Sequence, residues 1–152
     1  MIQQQDTKLN FKGQSFFLGL DVHLKNWSVT ISTRDLKLKT FSMDPSPQLL
    51  KRHLAHHYPG GKYHSVYEAG FCGFWIHRSL NELGINNIVI NPADVPTTNK
   101  EKGRRRDHPV DSSKLSRELA NGSLNPIYVP EPFYEELRSL CRLYHKTVSH
   151  QT

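Results

Sequence analysis

Residues 16–24, FFLGLDVHL, alternate so that Phe16, Leu18, Leu20, Val22 and Leu24 share one face and Phe17, Gly19, Asp21 and His23 the other. Both faces begin apolar, the pattern of a central strand covered on two sides. KNWSVTIST follows at once, with Trp27, Val29 and Ile31 alternating against polar neighbours, which predicts a hairpin with one wetter face. LKLKTFSM gives a third strand whose alternation slips near Phe41, the mark of a bulge. DPSPQLLKRHLAHHY opens with cap and proline signals and continues as a helix. KYHSVYEAG is a fourth strand ended by Gly70, and FWIHRSLNELG a second helix with Gly84 placed as a C-cap. INNIVINP is a fifth strand stopped by Pro92; VDSSKLSRELANG and the stretch from about Phe133 onward are further helices.

Three antiparallel-looking strands followed by strand–helix alternation predict an α/β fold with a mixed sheet of about five strands flanked by helices. The expected organisation is a flexible leader over 1–13, one domain over 14–130 and a helix over 131–152. That last helix carries Leu137, Leu140, Tyr144 and Val148 as an apolar stripe with Cys141 beside it. It reads as the start of a linker or coiled-coil segment leading toward a missing second domain.

With 152 residues the chain has room for one domain with a proper core. No apolar run approaches the ~18–20 residues that span a bilayer, so no membrane partner is expected. Cys72 and Cys141 lie far apart and outside any CxxC pair, which fits a reducing cytoplasm without structural zinc or disulfides. The formal charge of +6, with nine histidines counted neutral, favours polyanionic partners, nucleic acid above all.

Asp21 then needs an explanation, because a carboxylate inside a two-sided strand costs several kcal/mol unless something cationic meets it. No Arg or Lys lies nearby on its face, and Gly19 clears space beside it for a ligand. Glu68 ends the fourth strand; Asp107 and Asp111 stand near the start of the helix that follows the basic loop. Ligand sites in open sheets gather at strand ends near the switch in strand order. Neighbouring first and fourth strands would set Asp21 beside Glu68, and two such carboxylates need a shared proton or a bridging divalent cation. Oxygen-only ligands suit Mg²⁺ or Mn²⁺. Asp107, with Pro109 just after it, is equally well suited to cap the helix, and Asp111 to meet the helix dipole.

LGLDVHLKNWSVTI, YEAGFCGFWIHRSLNELGINNIVINPADVP and VDSSKLSRELANGSLNPIYVP resemble the N-terminal domain of IS110-type transposases, the DEDD recombinases. The resemblance spans residues 16 to 145 and implies an RNase H-like, or RuvC-like, fold with four acids binding divalent metal. Carried over by motif, the acids are Asp21, Glu68 in YEAG, and Asp111 before SSKLSREL. The family's last two aspartates follow T-D-x-x-D-A, whereas RDHPVDS puts His108 at that spacing and Asp107 one residue earlier. Either Asp107 serves through a shifted helix start or the site is impaired. The resemblance further implies DNA cleavage and strand exchange, a structured bridge RNA as guide, a homo-oligomer (dimer or tetramer), and a serine nucleophile on a C-terminal domain.

Lys100, Lys102, Arg104, Arg105 and Arg106 crowd the loop before Asp107, and Lys25 lies in the turn after the first strand; each could meet phosphates or simply face water. His53, His56 and His57 read as a surface cluster, Phe74 and Trp75 as core anchors of their helix, and Cys72 as a small buried hydrophobe. Two rival functions fit the same residues: a Holliday-junction resolvase of the same fold, and a non-catalytic nucleic-acid-binding module. An actin-like phosphotransferase fits poorly, since LDVHLKNW lacks a glycine-rich phosphate turn.

Overall fold

The computed structural model describes residues 9–96 and 111–150. Five strands, β1 (Ser15–Val22), β2 (Trp27–Ser32), β3 (Lys37–Met43), β4 (Lys62–Glu68) and β5 (Asn86–Ile90), form one sheet in the order β3-β2-β1-β4-β5. β1 pairs antiparallel with β2, and β2 with β3, while β1–β4 and β4–β5 are parallel. The mixed sheet expected from the alternation is therefore present, with β1 at its centre. The irregularity between β2 and β3 sits at Leu38, skipped between the Ile31–Lys39 and Ser32–Lys37 pairs, and not at Phe41.

Helices α1 (Pro47–His57) and α2 (Trp75–Glu82) cover one face. Ser46 caps α1 by accepting from the Leu49 N–H at 3.3 Å, and Pro47 fills the first turn, where its missing N–H costs nothing. Phe16, Leu18, Leu20, Trp27, Val29, Ile31, Tyr67 and Val89 project from the sheet onto Leu50, Leu54, Ile76 and Leu80. Trp75 does not join this core: it is 48% exposed, and Ile76 and Leu80, one and five positions on, take the inward stripe. Phe74 and Cys72 are half-buried against the core's edge, where burial raises the Cys72 thiol pKa.

The other face belongs to α3 (Ser112–Asn121), which ends at Gly122 in the left-handed conformation, φ 70°. Leu115 joins Val66, Ile90 and Val95 in a second, smaller cluster. The rest of this interface is polar. Thr30 and Ser112 share a hydrogen bond of 2.8 Å, Ser28 and Ser112 one of 3.3 Å, and Ser32 bonds Ser116, which also donates to the Phe17 carbonyl at 3.0 Å. The β2 face expected to be wet is thus covered: Thr30 and Ser32 are buried by a helix that presents matching hydroxyls. At Gly19 the approach is closest. A Cβ there would lie 2.0 Å from the Ser112 carbonyl oxygen and 2.5 Å from the Ser116 nitrogen. The space cleared by Gly19 is occupied by α3, not by a ligand.

α4 (Pro132–Ser149) leaves the body of the domain with no buried residue; Leu137, Leu140, Tyr144 and Val148 are all exposed. Its first turn is tied down by Arg78, which donates to the Pro130 carbonyl at 2.9 Å and to Glu135 at 2.6 Å.

Three histidines sit partly inside the fold. His64 stacks on Phe17, His53 lies against Phe41, and His77 joins Asn81 and Asn87 in a network that reaches buried Ser65. His53 is therefore not a surface residue, although His56 and His57 are. Burial first, then nearby cations, lowers all three pKa values below the ordinary 6.5. The folded state thus favours neutral imidazoles, so their contribution to stability is full above about pH 6.5 and is lost as the pH falls through and below it. Thermal unfolding followed by circular dichroism from about pH 7.5 down to about pH 5 should show a falling Tm. A flat or rising Tm over that range would contradict this burial.

Candidate metal centre at the sheet's C-terminal edge

The parallel register between β1 and β4 runs from Ser15 opposite Lys62 to Leu20 opposite Tyr67. One step beyond that last pair come Asp21 and Glu68. Directly opposed residues in neighbouring strands share a face. Asp21 follows Gly19 and Glu68 follows Val66, both of which face α3. The two carboxylates therefore leave adjacent strand ends on the α3 side. The third acid arrives from above. Asp111 precedes Ser112, whose hydroxyl bonds Ser28, and Ser28 is the β2 partner of Asp21. Strand pairing and helix packing bring Asp21, Glu68 and Asp111 to one edge of the sheet.

Asp21 is not sealed in the core. Its side chain is 22% exposed, and His23 Nε2 lies 3.1 Å from its Oδ1. The partner missing from the sequence reading stands two residues along the same face, a position that i, i+2 alternation makes visible. Because His23 is itself half exposed, the contact is worth well under 1 kcal/mol.

Asp111 has a structural role. It is the N-cap of α3, its Oδ1 accepting from the Lys114 N–H at 2.9 Å. The helix accordingly starts at Ser112, later than a cap at Asp107 would place it. Asp107 lies outside the described residues, as do Lys100, Lys102, Arg104, Arg105 and Arg106. Lys25 is exposed in the turn that the His23 N–H closes onto the Asn26 carbonyl at 3.1 Å. The loop after Glu68 is held by the Tyr67 hydroxyl, which donates to the Gly73 carbonyl at 3.1 Å.

Among the described residues, no three His, Cys, Asp or Glu side chains form a ready-made metal cluster. The donor chemistry nonetheless suits a hard divalent ion, since the three acids offer oxygen alone. One feature opposes it: the N-terminus of α3 presents a partial positive charge to the same edge, which Asp111 offsets.

No family model matches the chain. It is similar to two Sinorhizobium fredii proteins named as transposases, y4rJ (36% identical over 83 residues) and y4qE (34% over 76 residues), over 51% and 50% of this chain. It is also 28% identical over 130 residues, 81% of this chain, to the Leptospira borgpetersenii transposase for insertion sequence element IS1533. The chain spans only 21%, 19% and 37% of these three relatives. Among solved structures it is similar to T. thermophilus RuvC in complex with a Holliday junction substrate, at 12% identity and TM-score 0.44, covering 74% of this chain and 99% of that one. A second is the large terminase nuclease of thermophilic phage G20c with bound cobalt, at 16% identity and TM-score 0.41, covering 73% and 56%. No described helix is long and apolar enough to cross a membrane.

Proposed function

We propose that this chain is the metal-dependent DNA-processing domain of an insertion-sequence transposase, with Asp21, Glu68 and Asp111 as carboxylate ligands and Asp107 as a fourth. The observation that carries the reading is the parallel β1–β4 register, which sets Asp21 and Glu68 at neighbouring strand ends under the start of α3. The transposase relatives supply the biological context. A divalent ion there, Mg²⁺ or Mn²⁺, would supply charge stabilisation for a scissile phosphate. The protein's own contribution is geometric: β1 and β4 fix two acids by backbone pairing, and α3 fixes the third through its cap. The IS110 affiliation, the bridge RNA, strand exchange and a dimeric or tetrameric assembly rest on the resemblance of the quoted motifs. Lys25 and the basic run from Lys100 to Arg106 are the proposed phosphate contacts nearest the acids in sequence.

A second reading has two observations in its favour: Asp111 is already accounted for as an N-cap, and Asp21 by His23. On that reading the domain binds nucleic acid without chemistry. Calorimetric titration with Mn²⁺ separates the two. Saturable binding that is lost in Asp21→Ala and in Glu68→Ala is the expected result, and absence of binding in the unaltered chain supports the non-catalytic module.

A further inference from the structure

A cleft of about 470 Å³ runs along one side of α3, from Ser113 in its first turn to Asn121 at its end, against the β2–β3 turn. The turn contributes Thr33, Arg34 and Asp35, β3 its first residue Lys37, and the helix Ser113, Arg117 and Asn121. Three cations and one acid thus line it, together with hydroxyl and amide groups able to donate to oxygen. Lys37 Nζ donates to Ser113 Oγ at 3.2 Å, which draws the turn and the helix together across the cleft. Arg117 Nε lies 3.7 Å from Glu118 Oε1, a long contact, and with its own side chain 59% exposed the guanidinium is available to a further anion.

The position is as informative as the charge. Ser32 forms one wall and sits opposite Phe17, at the far end of β1 from Asp21. Arg117 follows Asp111 by six residues, roughly 9 Å along the helix axis. The strand wall of the cleft therefore lies away from the acids along α3, and Lys37 reaches from it to Ser113 in the helix's first turn. We propose that this cleft is a second anchoring site for a nucleic-acid phosphate backbone, in which Arg34, Lys37 and Arg117 meet phosphates away from the acidic edge. The proposal rests on the nucleic-acid reading above but not on any metal.

The test uses the full chain, a fluorescein-labelled DNA duplex and EDTA, with anisotropy recorded over a range of NaCl. Each phosphate contact contributes about 0.9 to the slope of log K against log salt. The triple variant Arg34→Ala, Lys37→Ala, Arg117→Ala should bind more weakly and lower that slope by about 2 to 3. Asp35→Asn removes the cleft's opposing charge and should tighten binding, a gain that misfolding cannot imitate. EDTA removes any divalent ion from the measurement, so failure of the metal reading and failure of this one are distinguishable. An unchanged slope in the triple variant overturns the proposal, as does an equal loss from Lys51→Ala with Arg52→Ala on α1 at the opposite face.

Discussion

Gly19→Ala should destabilise the domain by about 3 kcal/mol or more, the upper range for overpacking a close-packed interface. The added methyl would meet the Ser112 carbonyl oxygen at 2.0 Å, the Ser116 nitrogen at 2.5 Å and Leu115 Cβ at 2.9 Å. Two of these are backbone atoms of α3, so no side-chain rotation relieves them. The helix would have to lift, and with it the Thr30–Ser112 and Ser116–Phe17 hydrogen bonds would lengthen. Chemical denaturation with urea checks the magnitude. A loss below about 1 kcal/mol would mean that α3 does not pack this closely on β1.

The second large effect concerns Mn²⁺ affinity. Asp21→Asn and Glu68→Gln should each weaken it at least tenfold, about 1.4 kcal/mol per factor of ten. Asp111 permits a sharper separation of roles. Asparagine caps a helix about as well as aspartate, whereas alanine costs about 1 kcal/mol. Asp111→Asn should therefore preserve stability while losing Mn²⁺ affinity, and Asp111→Ala should lose both. If Asp111→Asn binds Mn²⁺ like the unaltered chain, Asp111 is a cap alone. The shift of Tm with added Mn²⁺ provides an independent reading, because an ion that binds only the folded state stabilises it by mass action.

The strands were legible in the sequence because apolar residues mark them with period two, and β1 announced its central place by being apolar on both faces. The sequence allows β1 and β4 to be neighbours without requiring it, and their parallel pairing sets Asp21 and Glu68 at adjacent strand ends. What alternation concealed was the covering of β2. Ser28, Thr30 and Ser32 look like a solvent face, and only the serines of α3 reveal that hydroxyls can pack on hydroxyls. The same blindness assigned the room at Gly19 to a ligand, since a missing side chain states that something approaches but not what. Asp21 reads as buried because its strand is; its place next to last in β1 leaves its side chain 22% exposed and within reach of His23. Trp75 differs for another reason: its size suggests a core anchor, but helix phase turns Ile76 and Leu80 inward instead. The cleft beside Arg34 and Arg117 left no signal at all, its walls being some 80 residues apart in the chain.

The β1–β4 ladder makes the acidic edge a matter of parity. Inserting one residue into β4 ahead of Glu68 would send its carboxylate through the sheet to the α1–α2 side, however conservative the insertion. Inserting two would keep the side and displace the acid by roughly 6.6 Å. Such a strand can tolerate many exchanges of side chain and almost no change in count.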